Sequence, residues 1–183
     1  MARSTTARVL ATLLMTSALA STLTAQGSDV ASRRKGFWFS AGLGGGSLGC
    51  ENCDERINGG AGGVSLGGTI NSHVLLGAGS AGWSRSENGV TLSVGTLDAR
   101  VLVYPSLTSG FFLTAGLGLG TIKGQINGFG SESQTGTSAV LGLGYDIAVG
   151  RKVSLTPFLN GVGVKTSDTN TNFGQFGLAI TFH

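Results

Sequence analysis

The chain has 183 residues, 33 of them glycine and two of them proline, and its formal net charge is +3 at pH 7. The glycines do not recur at every third position, which excludes collagen, and an apolar content of 40% excludes a disordered polar chain. Two of the basic residues, Arg3 and Arg8, lie in a segment that we expect to be removed. The mature chain is then close to neutral and gives no case for a nucleic-acid partner.

Residues 1–25 are predicted to be a secretory signal peptide. A short basic start precedes an apolar stretch at residues 9–20, and small residues then offer cleavage after Ala20 or Ala25. The apolar stretch is too short, and too rich in threonine and serine, to span a bilayer as a helix. We therefore expect the chain to be exported, leaving enough residues for one domain.

Eight β-strands are predicted from apolar residues that alternate with small or polar ones, with turn signals between the segments. The fifth shows the pattern most clearly, because Leu113 and Leu117 fall on one face while Thr114 and Gly118 fall on the other. No later segment is apolar for long enough to cross a membrane as a helix. The predicted strands span residues 37–48, 60–70, 73–83, 90–103, 111–122, 138–149, 153–165 and 173–183.

Several of these strands carry glycine at every second position, as at Gly116, Gly118 and Gly120. This spacing places the glycines on one face of the strand. Glycine weakens a strand, so its placement needs a geometric reason. A small closed barrel supplies one, because small residues fit its crowded interior.

The last predicted strand alternates up to the end of the sequence and closes on an aromatic residue. Strand ends usually fray, so this regularity is unusual for a soluble protein. A transmembrane β-barrel needs an apolar stripe towards lipid and an aromatic residue at the interface. One face carries Phe176, Leu178, Ile180 and Phe182, and the other carries Gln175, Gly177, Ala179, Thr181 and His183.

The connections between the predicted strands are sorted by character. Those at residues 71–72, 104–110 and 150–152 are short, whereas those at 50–59, 85–89, 125–133 and 166–172 are polar, and three of these four are longer. A barrel with both chain ends on one side has three inner turns and four outer loops. A soluble up-and-down barrel would invert the polarity, with large apolar residues inside and charges outside.

On these residues the chain resembles the small bacterial outer-membrane β-barrel family. The resemblance rests on the terminal strand and on the turn in which Tyr104 and Pro105 precede Gly110, Phe111 and Phe112. The family's terminal strand usually ends on phenylalanine, whereas here His183 follows Phe182.

The resemblance implies an eight-stranded antiparallel up-and-down transmembrane β-barrel over residues 37–183, in the bacterial cell outer membrane. Residues 26–36, with the basic cluster Arg33, Arg34 and Lys35, are then expected to form a solvated periplasmic tail. The implied partners are outer-membrane lipids, the β-barrel assembly machinery and an unknown extracellular ligand. The implied state is a monomer acting as a structural or surface-interaction scaffold through its loops.

Cys50 and Cys53 form the only Cys-x-x-Cys in the sequence. A redox or zinc role is an alternative, but there is no second cysteine pair, and His73 and His183 lie at strand ends. We predict a disulfide between the two cysteines that pins the first outer loop after export.

Asp98, Arg100 and Asp146 are the charged residues that the alternation places inside the barrel. Carboxylates in a cleft can act as acid–base catalysts, but an unpaired charge in a small lumen is costly. We expect an ion-pair network in the lumen in which one carboxylate neutralises the arginine and the other hydrogen-bonds it. Asn160, Gln175 and Thr114 are expected to add hydrogen bonds.

No catalytic, cofactor-binding or metal-binding residue is predicted. The glycine-rich runs lack the lysine of a phosphate-binding loop. Two alternatives stay open at this point. A lipid-modifying barrel enzyme would need serine and histidine near the lipid boundary, and a narrow channel would need a lumen that side chains do not fill.

Overall fold

The computed structural model describes residues 34–50, 55–126, 130–167 and 169–183. The predicted signal peptide, most of the predicted tail and Cys53 lie outside these residues. No helix in this part of the chain is long and apolar enough to cross a membrane. The strands are β1 (Phe37–Cys50), β2 (Ile57–Asn71), β3 (Val74–Glu87), β4 (Val90–Val103), β5 (Phe111–Ile126), β6 (Gly130–Tyr145), β7 (Ile147–Ala148), β8 (Val153–Lys165) and β9 (Asn170–Phe182).

Each strand from β1 to β5 pairs antiparallel with the next, β8 pairs with β9 in the same way, and β1 pairs with β9, so the sheet closes on itself. The short β7 continues the line of β6, and both pair with β8. The result is an eight-stranded up-and-down barrel, as predicted. We call the end that carries residues 72–73, 104–110 and 149–152 the turn end, and the opposite end the loop end.

The predicted facing of the strands is confirmed by burial. On β5, Leu113, Leu117 and Leu119 are exposed, whereas Phe112 and Thr114, on either side of Leu113, are buried. On β9, Phe176, Leu178, Ile180 and Phe182 are exposed and the residues between them point inward. The exposed side chains form an apolar band around the outside of the barrel.

At the loop end the strands are longer than predicted. β3 and β4 are joined by only Asn88 and Gly89, both with positive φ (51° and 79°), the backbone of a tight type I′ hairpin. Most of the predicted loop at 125–133 is strand in β5 and β6. The prediction that this end carries the longer loops is therefore wrong. The strands themselves extend there, and serines and threonines on their outer faces gave a loop-like composition.

The interruption between β6 and β7 has a local chemical cause. The register against β8 is the same on both sides of the gap, which places Tyr145 opposite Pro157. Proline has no amide hydrogen, so it cannot donate to the carbonyl of Tyr145. Asp146 therefore follows directly after a position where the hydrogen-bond ladder to β8 is interrupted.

Some inward glycines are required by the close approach of neighbouring strands. Gly67 on β2 faces Gly77 on β3. A Cβ atom at either position would collide with a backbone carbonyl oxygen of the other strand, that of Leu76 or Leu66. The curvature of a small barrel explains this crowding of the inner face.

Candidate functional site

The lumen is filled in three layers. Towards the loop end lies an apolar cluster of Leu48, Ala61, Ala81, Trp83, Val94, Val140, Val162, Val164 and Phe173, which we call the loop-end cluster. Towards the turn end lies a second one, the turn-end cluster, of Trp38, Leu75, Leu102, Tyr104 and Phe112. Buried polar side chains form a belt between them. β4 shows the order along one strand, from Val94 through Asp98 to Leu102.

Asp98 and Arg100 form a two-point ion pair inside this belt. The Nε and Nη2 atoms of Arg100 each donate to one carboxylate oxygen of Asp98, both at 2.8 Å. Both side chains are buried. The pair lies across glycines of the two neighbouring strands, because a Cβ atom at Gly79 would meet the guanidinium and one at Gly116 would meet the carboxylate. The inward glycines thus make room for the belt.

Asp146 has a different set of partners from the one expected. Its carboxylate accepts hydrogen bonds from the Tyr104 hydroxyl and the Thr156 hydroxyl, both at 2.7 Å. The Nε2 atom of His183 lies 3.3 Å from the same carboxylate. Among the described residues, the structure therefore places Asp146 in a separate group nearer the turn end, and not on Arg100. Tyr104 and Thr156 were missed by the sequence analysis, because nothing local marks residues this far apart as neighbours.

The prediction that Arg34 lies in a solvated tail is wrong. Its side chain is 1% exposed and stacks on the Tyr104 ring, with the guanidinium carbon 3.6 Å from the ring centroid. It donates to the carbonyl of Ser109 and lies 3.5 Å from the carbonyls of Ser72 and Ser106. Arg34 therefore ties the start of the barrel to two turns and covers the lumen at the turn end.

Burial shifts the pKa of both partners in this stack. The pKa of Tyr104 is raised well above its usual value, mainly by burial and further by the charge of Asp146. The pKa of Arg34 is lowered by burial, an effect that Tyr104 and Asp146 oppose.

A cavity of about 60 Å³ lies between the belt and the turn-end cluster, lined among others by Ser40, Arg100, Thr114, Asp146 and Gln175. A water molecule occupies roughly 10–15 Å³ on this measure, so the cavity has room for only a few. Within the described chain, Thr114 Oγ1 and Gln175 Oε1 have no hydrogen-bond partner. Asn160 lies beside Gly142 in the belt.

The outer surface changes character towards the loop end. On β5 the exposed leucines are followed on the same face by Thr121, Lys123 and Gln125. On the inner face of the same hairpins, Val90 and Ile126 are cross-strand neighbours and are 47% and 52% exposed. The barrel thus extends beyond its apolar band, and the extension is polar outside and partly apolar inside.

The remaining predicted site residues carry little chemistry. Cys50 is disulfide-bonded, and Cys53, the only other cysteine in the sequence, lies outside the described residues. His73 Nδ1 lies 2.7 Å from the carbonyl oxygen of Tyr104 in the turn end. Within the described ranges no three histidine, cysteine, aspartate or glutamate residues are grouped as metal ligands would be.

Comparison with solved structures shows the fold in other bacterial proteins. Neisserial surface protein A (NspA) superposes with a TM-score of 0.61 at 15% sequence identity, over 81% of this chain and 97% of that one. Ail, the attachment invasion locus protein of Yersinia pestis in complex with the heparin analogue sucrose octasulfate, gives 0.59 at 16% identity, over 81% and 99%. No curated protein sequence matches the chain significantly.

A family model described as "Outer membrane protein beta-barrel domain" matches residues 10–183, nearly the whole sequence. The match agrees with the closed barrel, with its apolar outer band and with the inward glycines. It places the protein in the bacterial outer membrane. The chain belongs to the outer membrane protein beta-barrel domain family.

Proposed function

We propose that this protein is a surface-interaction scaffold, in which the barrel is the membrane anchor and the loop end binds partners outside the cell. The observation that carries this proposal is the filled lumen combined with strands that extend beyond the apolar band. The proposal places the turn end, where β1 begins and β9 ends, in the periplasm. The loop end, with its polar outer face and its exposed Val90 and Ile126, then faces the outside.

The filled lumen argues against a channel. A conducting path would have to cross both apolar clusters and pass Arg34, which covers the turn end. Eight strands leave an interior that side chains can fill, and here they do so apart from a small cavity.

The burial of the candidate groups argues against a lipid-modifying enzyme. His183 and Asp146 are close, but both side chains are inside the barrel, away from the lipid boundary. A lipid substrate would have to pass through the sheet to reach them.

The heparin analogue bound to Ail does not lead us to propose a similar ligand for this chain. Here the loop-end arginines are already used: Arg56 donates to Asn172 and Ser47, and Arg85 pairs with Glu87 at 2.6 Å. A sulfated ligand would find no unpaired basic cluster among these residues.

The test uses outer-membrane vesicles that carry either the wild-type protein or the double variant Val90→Ser/Ile126→Ser. Both are assayed for binding to an array of immobilised extracellular proteins and polysaccharides. We expect binding by the wild-type vesicles that the double variant lacks, while both proteins keep the gel-mobility shift on boiling that marks a folded barrel.

Purified protein in planar bilayers supplies the counter-test. We expect conductance at the level of protein-free bilayers. Steady, ion-selective conductance would show that the protein is a channel and not a scaffold. Release of fatty acids from outer-membrane lipid would show that it is an enzyme.

A further inference from the structure

The exposed charged side chains differ between the two ends of the barrel. At the turn end, in the part of the chain that the structure describes, they are all basic. They are Lys35, Arg151 and Lys152, and we call these three residues the basic rim. At the loop end both signs occur, since Glu87 and Glu132 are exposed there beside basic residues. The turn end therefore presents side chains of positive charge alone.

The charges of the basic rim are not neutralised by other described side chains. The ion pairs found among the described residues do not include any member of the rim. The carboxylate at this end, that of Asp146, is buried and accepts hydrogen bonds from Tyr104 and Thr156. Lys152 supports the barrel through its backbone carbonyl, which accepts from the amide of His183. Its side chain is thus available to a ligand.

The basic rim borders the apolar band at the level of the lipid headgroups. Phe37 lies two residues from Lys35, Val149 lies two residues from Arg151, and both apolar side chains are 64% exposed. Two residues of chain span at most about 7 Å. The headgroup layer on each side of a bilayer is about 5–8 Å thick, and exposed aromatic residues mark its inner boundary. The rim therefore lies among the headgroups of the surrounding lipids.

We propose that the basic rim binds the headgroups of anionic phospholipids in preference to zwitterionic ones. Lysine and arginine side chains at the surface of a membrane are attracted to anionic headgroups, and each one adds to the binding. In the orientation of the proposed function, these lipids belong to the periplasmic leaflet. The inference itself depends on the charge and the position of the rim, so it can fail while the scaffold function holds.

An acidic segment of a periplasmic protein also has the matching charge, but the distribution of the rim favours lipid. Lys35 precedes β1, whereas Arg151 and Lys152 precede β8, and β9 lies between these two strands. Neighbouring strands are about 5 Å apart, so β1 and β8 are roughly 10 Å apart. Separate lipid headgroups can occupy such positions independently, and they are already adjacent to the apolar band.

The test measures lipid binding by native mass spectrometry of the barrel released from detergent. Phosphatidylglycerol and phosphatidylcholine with the same acyl chains are added separately, and the apparent Kd of the first bound lipid is determined. Lys35→Gln/Lys152→Gln is compared with the matched control Lys123→Gln/Lys165→Gln, whose lysines are exposed at the loop end. We expect the wild type to bind phosphatidylglycerol at least about tenfold more tightly than phosphatidylcholine. The turn-end variant should lose most of this preference, and the control should keep it.

Further arms separate charge from side-chain identity and lipid from other anions. Lys35→Arg/Lys152→Arg should keep the preference because the charges remain, and high salt should reduce it by screening. Equal Kd values for the two lipids, or an equal loss of preference in the loop-end control, would overturn the proposal. Competition by inorganic phosphate would assign the rim to a free anion.

Two outcomes separate this proposal from its neighbours. Binding of poly-glutamate that requires the rim lysines, without a headgroup preference, would overturn the lipid site in favour of an acidic protein. If the headgroup preference is found but the array shows no binding that depends on Val90 and Ile126, the lipid site is supported and the scaffold function fails.

Discussion

At the scale of single residues, Tyr104 connects residues from distant parts of the sequence. Its ring supports the guanidinium of Arg34, and its hydroxyl donates to Asp146, which Thr156 and His183 also contact. These contacts bring together residues from the N-terminal segment, from three turns or strands and from the end of the chain. A buried hydrogen bond to a charged group contributes about 1.5–3 kcal/mol, so Tyr104 is a strong determinant of the turn end.

The first prediction concerns the pH dependence of stability. Because folding raises the pKa of Tyr104 above its ordinary value of 10.0, the folded barrel holds the phenolic proton more tightly than the unfolded chain. The contribution is complete below the ordinary pKa and is lost as the pH rises from there towards the folded-state pKa. Urea unfolding in lipid vesicles, followed by tryptophan fluorescence, should therefore show a free energy of unfolding that falls above about pH 10.

Tyr104→Phe provides the control for this prediction. It should lower the free energy of unfolding at neutral pH, since the hydrogen bond to Asp146 is lost, and flatten the alkaline decline. An equally steep decline in this variant would assign the alkaline effect to another group.

At the scale of strands, the backbone spacing decides where glycine is needed. Gly77 points into the lumen beside the carbonyl of Leu66, whereas a Cβ atom at Gly95 would meet nothing within 4 Å. The two residues lie on adjacent strands, but Gly77 faces the crowded lumen, whereas Gly95, between the buried Val94 and Thr96, faces outward. Glycine content alone does not distinguish them.

The second prediction follows from that difference. Gly77→Ala should reduce the yield of folded barrel and lower the free energy of unfolding by roughly 1–3 kcal/mol, because overpacking forces the backbone to shift. Gly95→Ala should leave both unchanged or slightly improved, because alanine reduces the entropy of the unfolded chain. Folded fractions are read from gel mobility with and without boiling, and equal losses in both variants would contradict the crowding argument.

The same strands show what the sequence could and could not predict. Alternation was sufficient for the facing of Leu117 and Gln175, because lipid on one side and a packed lumen on the other force a period of two. It failed for the loop-end part of β6, where both faces meet water and the pattern fades. It also failed for Arg34, whose burial depends on a tyrosine 70 positions away (104 − 34) in the sequence.

At the scale of the whole molecule, the apolar band suits lipid and the polar extension suits water. Leu117 is 73% exposed within the band, and Gln125 lies on the same face of the same strand beyond it. We expect the membrane to end between them. This pair therefore tests the position of the boundary.

The third prediction compares Leu117→Arg with Gln125→Arg. An arginine facing the bilayer midplane costs about 2–4 kcal/mol, and near the interface the cost falls towards zero. Leu117→Arg should therefore lower the amount of heat-modifiable barrel in outer-membrane fractions, while Gln125→Arg should match the wild type. Equal assembly of both variants would show that the membrane boundary lies elsewhere.

The closing ladder between β1 and β9 allows the chain to be circularly permuted. It contains twelve residue pairs, as many as the ladder between β1 and β2, so the sheet has no weaker junction where the chain happens to start and stop. β1 begins and β9 ends at the turn end, and Asn88–Gly89 offers a two-residue opening at the other. A circular permutant that joins the natural ends and begins at Gly89 would keep every strand pairing but finish on β3. In that molecule β3 replaces β9 as the last strand, so the stability of the barrel can be measured apart from the position of β9 in the chain.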